Sequence, residues 1–469
     1  MRSIPELTEL LNVKLSDNQI TKEELRDAAC ELHYALRNSR PPIESQNPII
    51  GRYDKDNKLK PDANNVPLYY LNHKRVQFLL DWTVKYLPII QILEGKGKLP
   101  FSRKPSETDY EAFVKSKINA YVDQIKIYKD NLSKLGIPTF LSDDDLSIIE
   151  FNCKDLLEAI GKYLDGLPDM AYNALKKCMD RIESNKLKPF RDKKDPNGDI
   201  LFKMRLGEAH RFYSADNMFH IPFESRGLVK TNRYSIPGLP CVYLGSTTVT
   251  CWEEMGRPDL DSTHTSLFLT SKKLTYYNLS VPPTAMAEFL KDKISDHYGG
   301  SLRKLYEMVR AYLVLWPLIA CCSIKVKNPN DSFKPEYIVS QLLLQWIQQS
   351  RKYDGIRYFS TKINNYTFNN FQLYSNYAFP VKARKGKGQC NKLRKKFTYI
   401  TKAVPWQAFQ IHKSLSQEET TPSEKFNMSA TLELIPGGIE IPYKTSDFGR
   451  LETYLVYQME KETEVKIKY

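Results

Sequence analysis

Apolar residues fall at helical spacing through most of the first 190 residues. Residues 22 to 37 and 73 to 94 carry such spacing. In TDYEAFVKSKINAYVDQIKIYKDNL the apolar positions are 110, 113, 118, 121, 125 and 128, one stripe of an amphipathic helix. SDDDLSIIEF then opens a further helix, with Ser142 as N-cap and three aspartates in the first turn, where carboxylates meet the positive end of the helix dipole. Capping is the simpler reading of this triplet than a metal site. Another helix is predicted after Pro168.

The texture changes at FRDKKDPNGD, residues 190 to 199, a charged and turn-rich stretch that reads as a domain boundary. Short strand patterns follow: LPCVYLG, HTSLFLT, LTYYNLS, CSIKVK and GIRYFS. Helical segments at about 284 to 318 and 336 to 350 interrupt them, and in the second Ile338, Val339, Leu342, Leu343, Trp346 and Ile347 share a face. The predicted class is α+β, a mostly helical N-terminal region before a mixed α/β domain. The organisation expected is a helical domain over 1–195, a second domain over 196–400 and a β-rich extension over 401–469, with a hairpin around IPGGIEI. No internal repeat is evident.

Composition narrows the class. The 469 residues are 41% hydrophobic and 12% aromatic, enough for a large core. The formal charge of +14 suits nucleic acid, an anionic metabolite or an acidic partner. Part of it is local, since KARKGKGQCNKLRKK at 382 to 396 has eight Lys or Arg and no acid. That run lacks interleaved aromatics, so nucleic acid is not the expected partner. The eight cysteines contain no CxxC, and reduced, mostly buried thiols are expected. The N-terminal segment has no apolar core of a secretory signal, and the longest apolar run, YLVLWPLIACC, contains Pro317 and is too short for a bilayer. A cytoplasmic protein with no membrane partner is expected.

Candidate chemistry lies in RYSIPGLPCVYLGSTTVTCWEEMG, where Arg233, Tyr243 and the pair Glu253-Glu254 flank one strand and its following turn. Singly, such a tyrosine is ordinarily core and such a glutamate solvated. The wider order is more telling. MRLGEAHRF, DNMFHIPFESRG, the stretch just quoted, and EYIVSQLLLQWIQQSRKYDGIRYFST together resemble the RES domain, a family named for an arginine, a glutamate and a serine. The resemblance covers about 205 to 365, and its closing strand ends on Ser360.

This resemblance implies a fold like that of ADP-ribosyltransferase toxins and consumption of NAD, by phosphorolysis or hydrolysis of the nicotinamide–ribose bond. It also implies toxins paired with antitoxins. NAD is then the substrate, with phosphate as a candidate co-substrate and no further cofactor or metal. Rupture of an N-glycosidic bond builds positive charge on the ribose, which a carboxylate stabilises. Glu254 is the candidate, with Glu253 its rival. Arg205 and Arg233 match family arginines suited to a pyrophosphate, and Arg226 is a third. Tyr243 is placed to stack on nicotinamide or bond to it, and Ser360 to bond to the ribose or carboxamide. His220 reads either as a packed core histidine or as a substrate contact. No GxGxxG follows a strand, and the Gly/Lys stretches GKGKL at 95 to 99 and RKGKGQ at 384 to 389 read as solvated turns rather than phosphate cradles. The long flanks, and the insertion between Glu254 and the closing helix, are not explained by the resemblance.

Overall fold

The structure, a computed structural model, describes residues 85–134, 139–187, 198–208, 211–295, 302–363, 366–367, 370–383, 385–415, 431–433 and 440–463. The expected helix at 22 to 37, the first part of that at 73 to 94, the boundary up to residue 197 and most of the IPGGIEI turn lie outside them.

Four helices come first: α1 (Leu87–Glu94), α2 (Tyr110–Lys134), α3 (Asp143–Leu164) and α4 (Pro168–Ser184). The stripe predicted on α2 is buried along its whole length, from Tyr110 to Tyr128. At the start of α3, Ser142 and Asp145 form a reciprocal capping box. Arg310 holds the Asp145 carboxylate with two nitrogens, at 2.6 to 3.0 Å. Those bonds outweigh the cost of burying the carboxyl and keep it below its usual range.

Strands β1 (Ile200–Leu206), β2 (Cys241–Gly245), β3 (Thr263–Thr270) and β4 (Tyr276–Leu279) alternate with α5 (Thr248–Glu254). Then come α6 (Pro283–Ser295), α7 (Leu302–Cys322), α8 (Ile338–Gln349), β5 (Gly355–Phe359), β6 (Ser375–Pro380), β7 (Phe397–Ile400) and β8 (Val404–Pro405). They form one sheet in the order β4-β5-β6-β2-β1-β3-β7, with β8 also on β3. Only β4 and β5 run parallel. The α+β class is as predicted.

Alternation divides the strands between two cores. Phe202, Met204, Leu267, Ile356 and Ala378 face the helices, in one cluster that runs unbroken into α1–α4. Leu201, Val242, Leu244, Phe268 and Phe379 face the other way, under the segments around Tyr213 and Leu393. The first four helices therefore share their core with the sheet. Trp316 on α7 is the junction: it stacks on Tyr121 with centroids 3.8 Å apart and donates its indole N–H to the Gly97 carbonyl at 2.9 Å.

Three patterns resolve differently from expectation. CSIKVK alternates like a strand but joins no ladder. Its Cys322 and Ile324 carbonyls accept instead from the Arg233 guanidinium. The predicted 284 to 318 helix is two, α6 and α7, and α7 continues past Pro317. The tail expected to be β-rich holds one short antiparallel pair, β9 (Thr431–Glu433) with β10 (Glu440–Pro442). Its other described residues are mainly helix, α9 (Trp406–Leu415) and α10 (Asp447–Thr463). Phe448, Leu451, Leu455 and Met459 give α10 a buried helical stripe, a period of 3.6 that a strand could not bury. One helical stretch, Lys304–Cys322 within α7, is long and apolar enough to cross a membrane, and most of it is buried in this core.

Trp316→Ala should lower the unfolding free energy by ~3–5 kcal/mol, the range for a fully buried large aromatic. Denaturant melts followed separately by helix and strand signals should shift together, because the residue belongs to both layers.

Candidate active site

Glu253 and Glu254 end α5, whose first turn is fixed from several sides. Thr247 caps it by accepting from the Thr250 N–H. The buried Glu452 carboxylate of α10 accepts the Thr248 N–H at 2.6 Å, placing an anion at the positive end of the helix. The helix phase then separates the two acids. Glu253 turns into a two-point ion pair with Arg257, with both contacts at 2.9 Å. Glu254 turns to a cavity of about 660 Å³ above the helix-facing side of β2, β5 and β6.

The Glu254 carboxylate is held rigidly. Its Oε1 accepts from Ser360 Oγ at 2.6 Å and from Asn376 Nδ2 at 2.7 Å. Ser360 is fully buried, and its carbonyl accepts from the Tyr366 hydroxyl at 2.5 Å. No hydrogen bond to Oε2 is present among the described residues. Ser360 thus reaches the site through Glu254 and does not line the cavity, contrary to the ligand contact expected of it. Its position one residue past β5 puts its side chain under the carboxylate.

Register explains the rest of the wall. Tyr243 sits opposite Ala378, and Gly245 opposite Asn376, so Tyr243 and Asn376 project to one face. Tyr358 pairs with Asn376 from the other side and joins them. Burial holds the Tyr243 and Tyr358 phenols well above their ordinary value, so both stay protonated. The Tyr243 hydroxyl is buried beside Ser235 and the Cys241 thiol. Burial pushes the neighbouring Cys251 thiol up to about 12, which rules out a resting thiolate nucleophile.

Arg233 also lines the cavity, beneath Tyr337 at 5.1 Å from guanidinium to ring centroid. Its Nη1 donates to the Cys322 carbonyl at 3.0 Å, and its Nη2 donates to the Ile324 carbonyl at 2.8 Å and Thr361 Oγ1 at 3.1 Å. The loop that carries it is pinned by Gln341, whose amide donates to the Asn232 and Ser235 carbonyls. Arg233 is thus engaged by the protein rather than presented as an open fork for a pyrophosphate. Lysines supply further charge: Lys325, Lys334 and Lys362 line the same cavity, against Glu254 as the one acid among its described lining residues, whereas the Lys203 ammonium lies on the other face of β1 and donates to the Phe219 carbonyl.

The structure brings together Arg233, Tyr243, Glu254 and, behind Glu254, Ser360. It does not bring Arg205, Arg226 or His220 to the cavity. Arg205 projects from the other face of β1, over the Tyr213 ring at 4.3 Å, and donates to the Asn217 carbonyl. Arg226 folds back on Phe223. His220 is a packed core histidine: Nδ1 donates to the Ile221 carbonyl and Nε2 accepts from the Cys390 N–H. Asn376 escaped the sequence reading. Its signal was one amide inside the otherwise apolar SNYAFP, costly to bury without a partner.

Comparison with known proteins identifies the family. The family model described as RES domain matches residues 204–386. A Bacillus subtilis (strain 168) protein named "Putative toxin YopC" is 36% identical over 394 residues, covering 82% of this chain and 84% of that protein. The chain belongs to the RES-domain family. Similarity to the Bacillus protein extends over more than twice the length of the RES match, so it includes flanking regions as well. No solved structure matches the chain. The matched range contains Arg233, Glu254 and Ser360.

Burial lowers the affinity of His220 for a proton, with nearby Lys203 adding to the effect. The unfolded chain then binds more protons in mild acid. The stability linked to His220 is present above its ordinary value of 6.5 and is lost as pH falls below it. Melting temperature should drop between neutral pH and pH 5, and His220→Gln should flatten that drop while lowering stability at pH 7.5.

Proposed function

We propose that this cavity binds NAD and breaks the bond between nicotinamide and ribose. The observation that carries the reading is the Glu254 carboxylate, fixed through one oxygen by Ser360 and Asn376 at the wall of a cavity of about 660 Å³. That volume suits a ligand of dinucleotide class. The cations around it suit a pyrophosphate, and Tyr243, Tyr337 and Tyr358 offer aromatic surface for a planar ring.

In the reaction the C1′–N bond breaks with its electron pair leaving on nicotinamide. The ribose becomes an oxocarbenium-like cation, and Glu254 stabilises it more than it stabilises bound NAD. An oxygen of phosphate, or of water that loses a proton, then bonds to C1′. Ser360 and Asn376 keep the carboxylate from reorienting as charge develops, so they act as positioning residues. Arg233 holds the wall that bears Tyr337 and Thr361. The relative's name supports a toxin-like use of this chemistry; its place in the cytoplasm and its restraint by a protein antitoxin are part of the proposal.

Incubation of purified protein with NAD, with and without phosphate, should release free nicotinamide. The mass of the second product identifies the acceptor, and label retained on protein would instead identify protein ADP-ribosylation. Intact NAD after prolonged incubation with folded protein would overturn the reading. Glu254→Gln should cut turnover by about 100-fold or more while NAD still binds. Glu253→Gln should leave turnover near the parental rate and lower the melting temperature through the lost Arg257 pair. Ser360→Ala should lower kcat with little change in KM, since the serine supports the carboxylate and not the ligand.

A further inference from the structure

A second cavity, of about 530 Å³, lies beside the first four helices. Four lysines from three separate elements line it: Lys96 and Lys98 after α1, Lys117 on α2, and Lys325 after α7. Ser102 and Ser116 add hydroxyls, and among the described residues its lining contains no aspartate or glutamate. The neighbouring Glu94 is already paired with Lys291. We infer that this cavity is a binding site for a small phosphorylated anion, distinct from the candidate active site and coupled to it through Lys325.

The GKGKL stretch is no loose turn. The Gly95 and Gly97 N–H groups donate to the Gln91 and Ile92 carbonyls at 2.9 and 2.7 Å, and Trp316 holds the Gly97 carbonyl from the core. A Cβ at either glycine would lie 2.8 Å from one of those carbonyl oxygens, so the tight turn requires glycine. Lys96 and Lys98 are exposed side chains on a fixed backbone. Cations after a helix C-terminus are favoured by its dipole, which accounts for these two. It does not account for Lys117 and Lys325, which converge from elsewhere. The Lys117 ammonium sits over the Phe101 and Phe113 rings, 5.7 and 5.4 Å from their centroids. Partial burial lowers the proton affinity of Lys325, an ammonium that a bound anion would stabilise.

Lys325 lines both cavities. Its backbone is fixed, since its N–H donates to the Phe101 carbonyl at 2.7 Å, so a change at its side chain is felt on either side. Two anions held on either side of one residue repel each other. Occupancy of the second cavity should therefore weaken anion binding in the first, and the reverse by the same factor. This coupling rests on the proposed NAD reading; the anion site does not.

The test is calorimetric titration of the full chain with inorganic pyrophosphate at low ionic strength. Lys96→Ala with Lys98→Ala should weaken binding roughly tenfold or more, as two charged contacts are lost. The exposed pair Lys385→Ala with Lys387→Ala, remote from both cavities, should not. In a nicotinamide-release assay, pyrophosphate should inhibit the parent, and the Lys96/Lys98 variant should keep parental turnover and need a higher pyrophosphate concentration for the same inhibition, since only direct competition at the first cavity is left. Unchanged pyrophosphate affinity in the Lys96/Lys98 variant, or an equal loss in the Lys385/Lys387 variant, would overturn the site. If the parent releases no nicotinamide, the NAD reading falls, and the binding difference between the two variants still decides the anion site.

Discussion

One guanidinium fastens the two layers of this protein. Arg233 comes from the loop before β2, yet its nitrogens terminate in the carbonyls of Cys322 and Ile324, where the long core helix α7 runs out. A helix end leaves acceptors without partners, and burying them unsatisfied costs free energy comparable to lost hydrogen bonds. Arg233 removes that cost and at once sets the distance between the helical layer and the sheet. The candidate site is the space so defined. Arg233 therefore has an architectural duty in this chain, whatever it also does toward a ligand.

What the sequence made legible follows from how local each signal is. The α2 stripe, the α3 capping box and strands β2 to β5 come from periodicity and short-range chemistry, and they stand where the patterns put them. Arg233, Tyr243 and Glu254 could be picked out because their order along the chain resembles a family, and β2 carries its neighbours to one wall. The choice between Glu253 and Glu254 was illegible, because it depends on the phase of a seven-residue helix and on where Arg257 lies. Strand β6 was missed because it is buried on both faces, so its pattern carries no alternation; β1 does alternate, with Lys203 and Arg205 between apolar neighbours, but follows directly on the turn-rich stretch, and β7 is only four residues long. Ser360 and Asn376 needed the cross-strand register before their shared grip on Glu254 could appear.

The helical N-terminal region illustrates a further limit. Its helices were readable, but nothing in an amphipathic stripe says what will cover it. Here the cover is the sheet's own helical layer, through Trp316, Tyr121 and the residues around them. Arg103 adds a buried ion pair to Glu336 at 2.5 Å, directly beside the cavity residue Tyr337. Breaking one partner of such a pair is costly, since the other is left buried and charged. The helical region is thus bound to the RES-domain unit by packing and charge, in keeping with a relative that shares most of the chain.

The anion at the start of α5 has a consequence in time. Glu452, which accepts the Thr248 N–H, lies 204 residues further along the chain. During synthesis the segment carrying Glu254 emerges long before the carboxylate that completes its helix. Domains fold in the order they appear, and a contact of such separation closes last. A growing chain therefore holds the pieces of its pocket well before it holds their final arrangement, so assembly of the site is deferred until translation has passed the α10 segment.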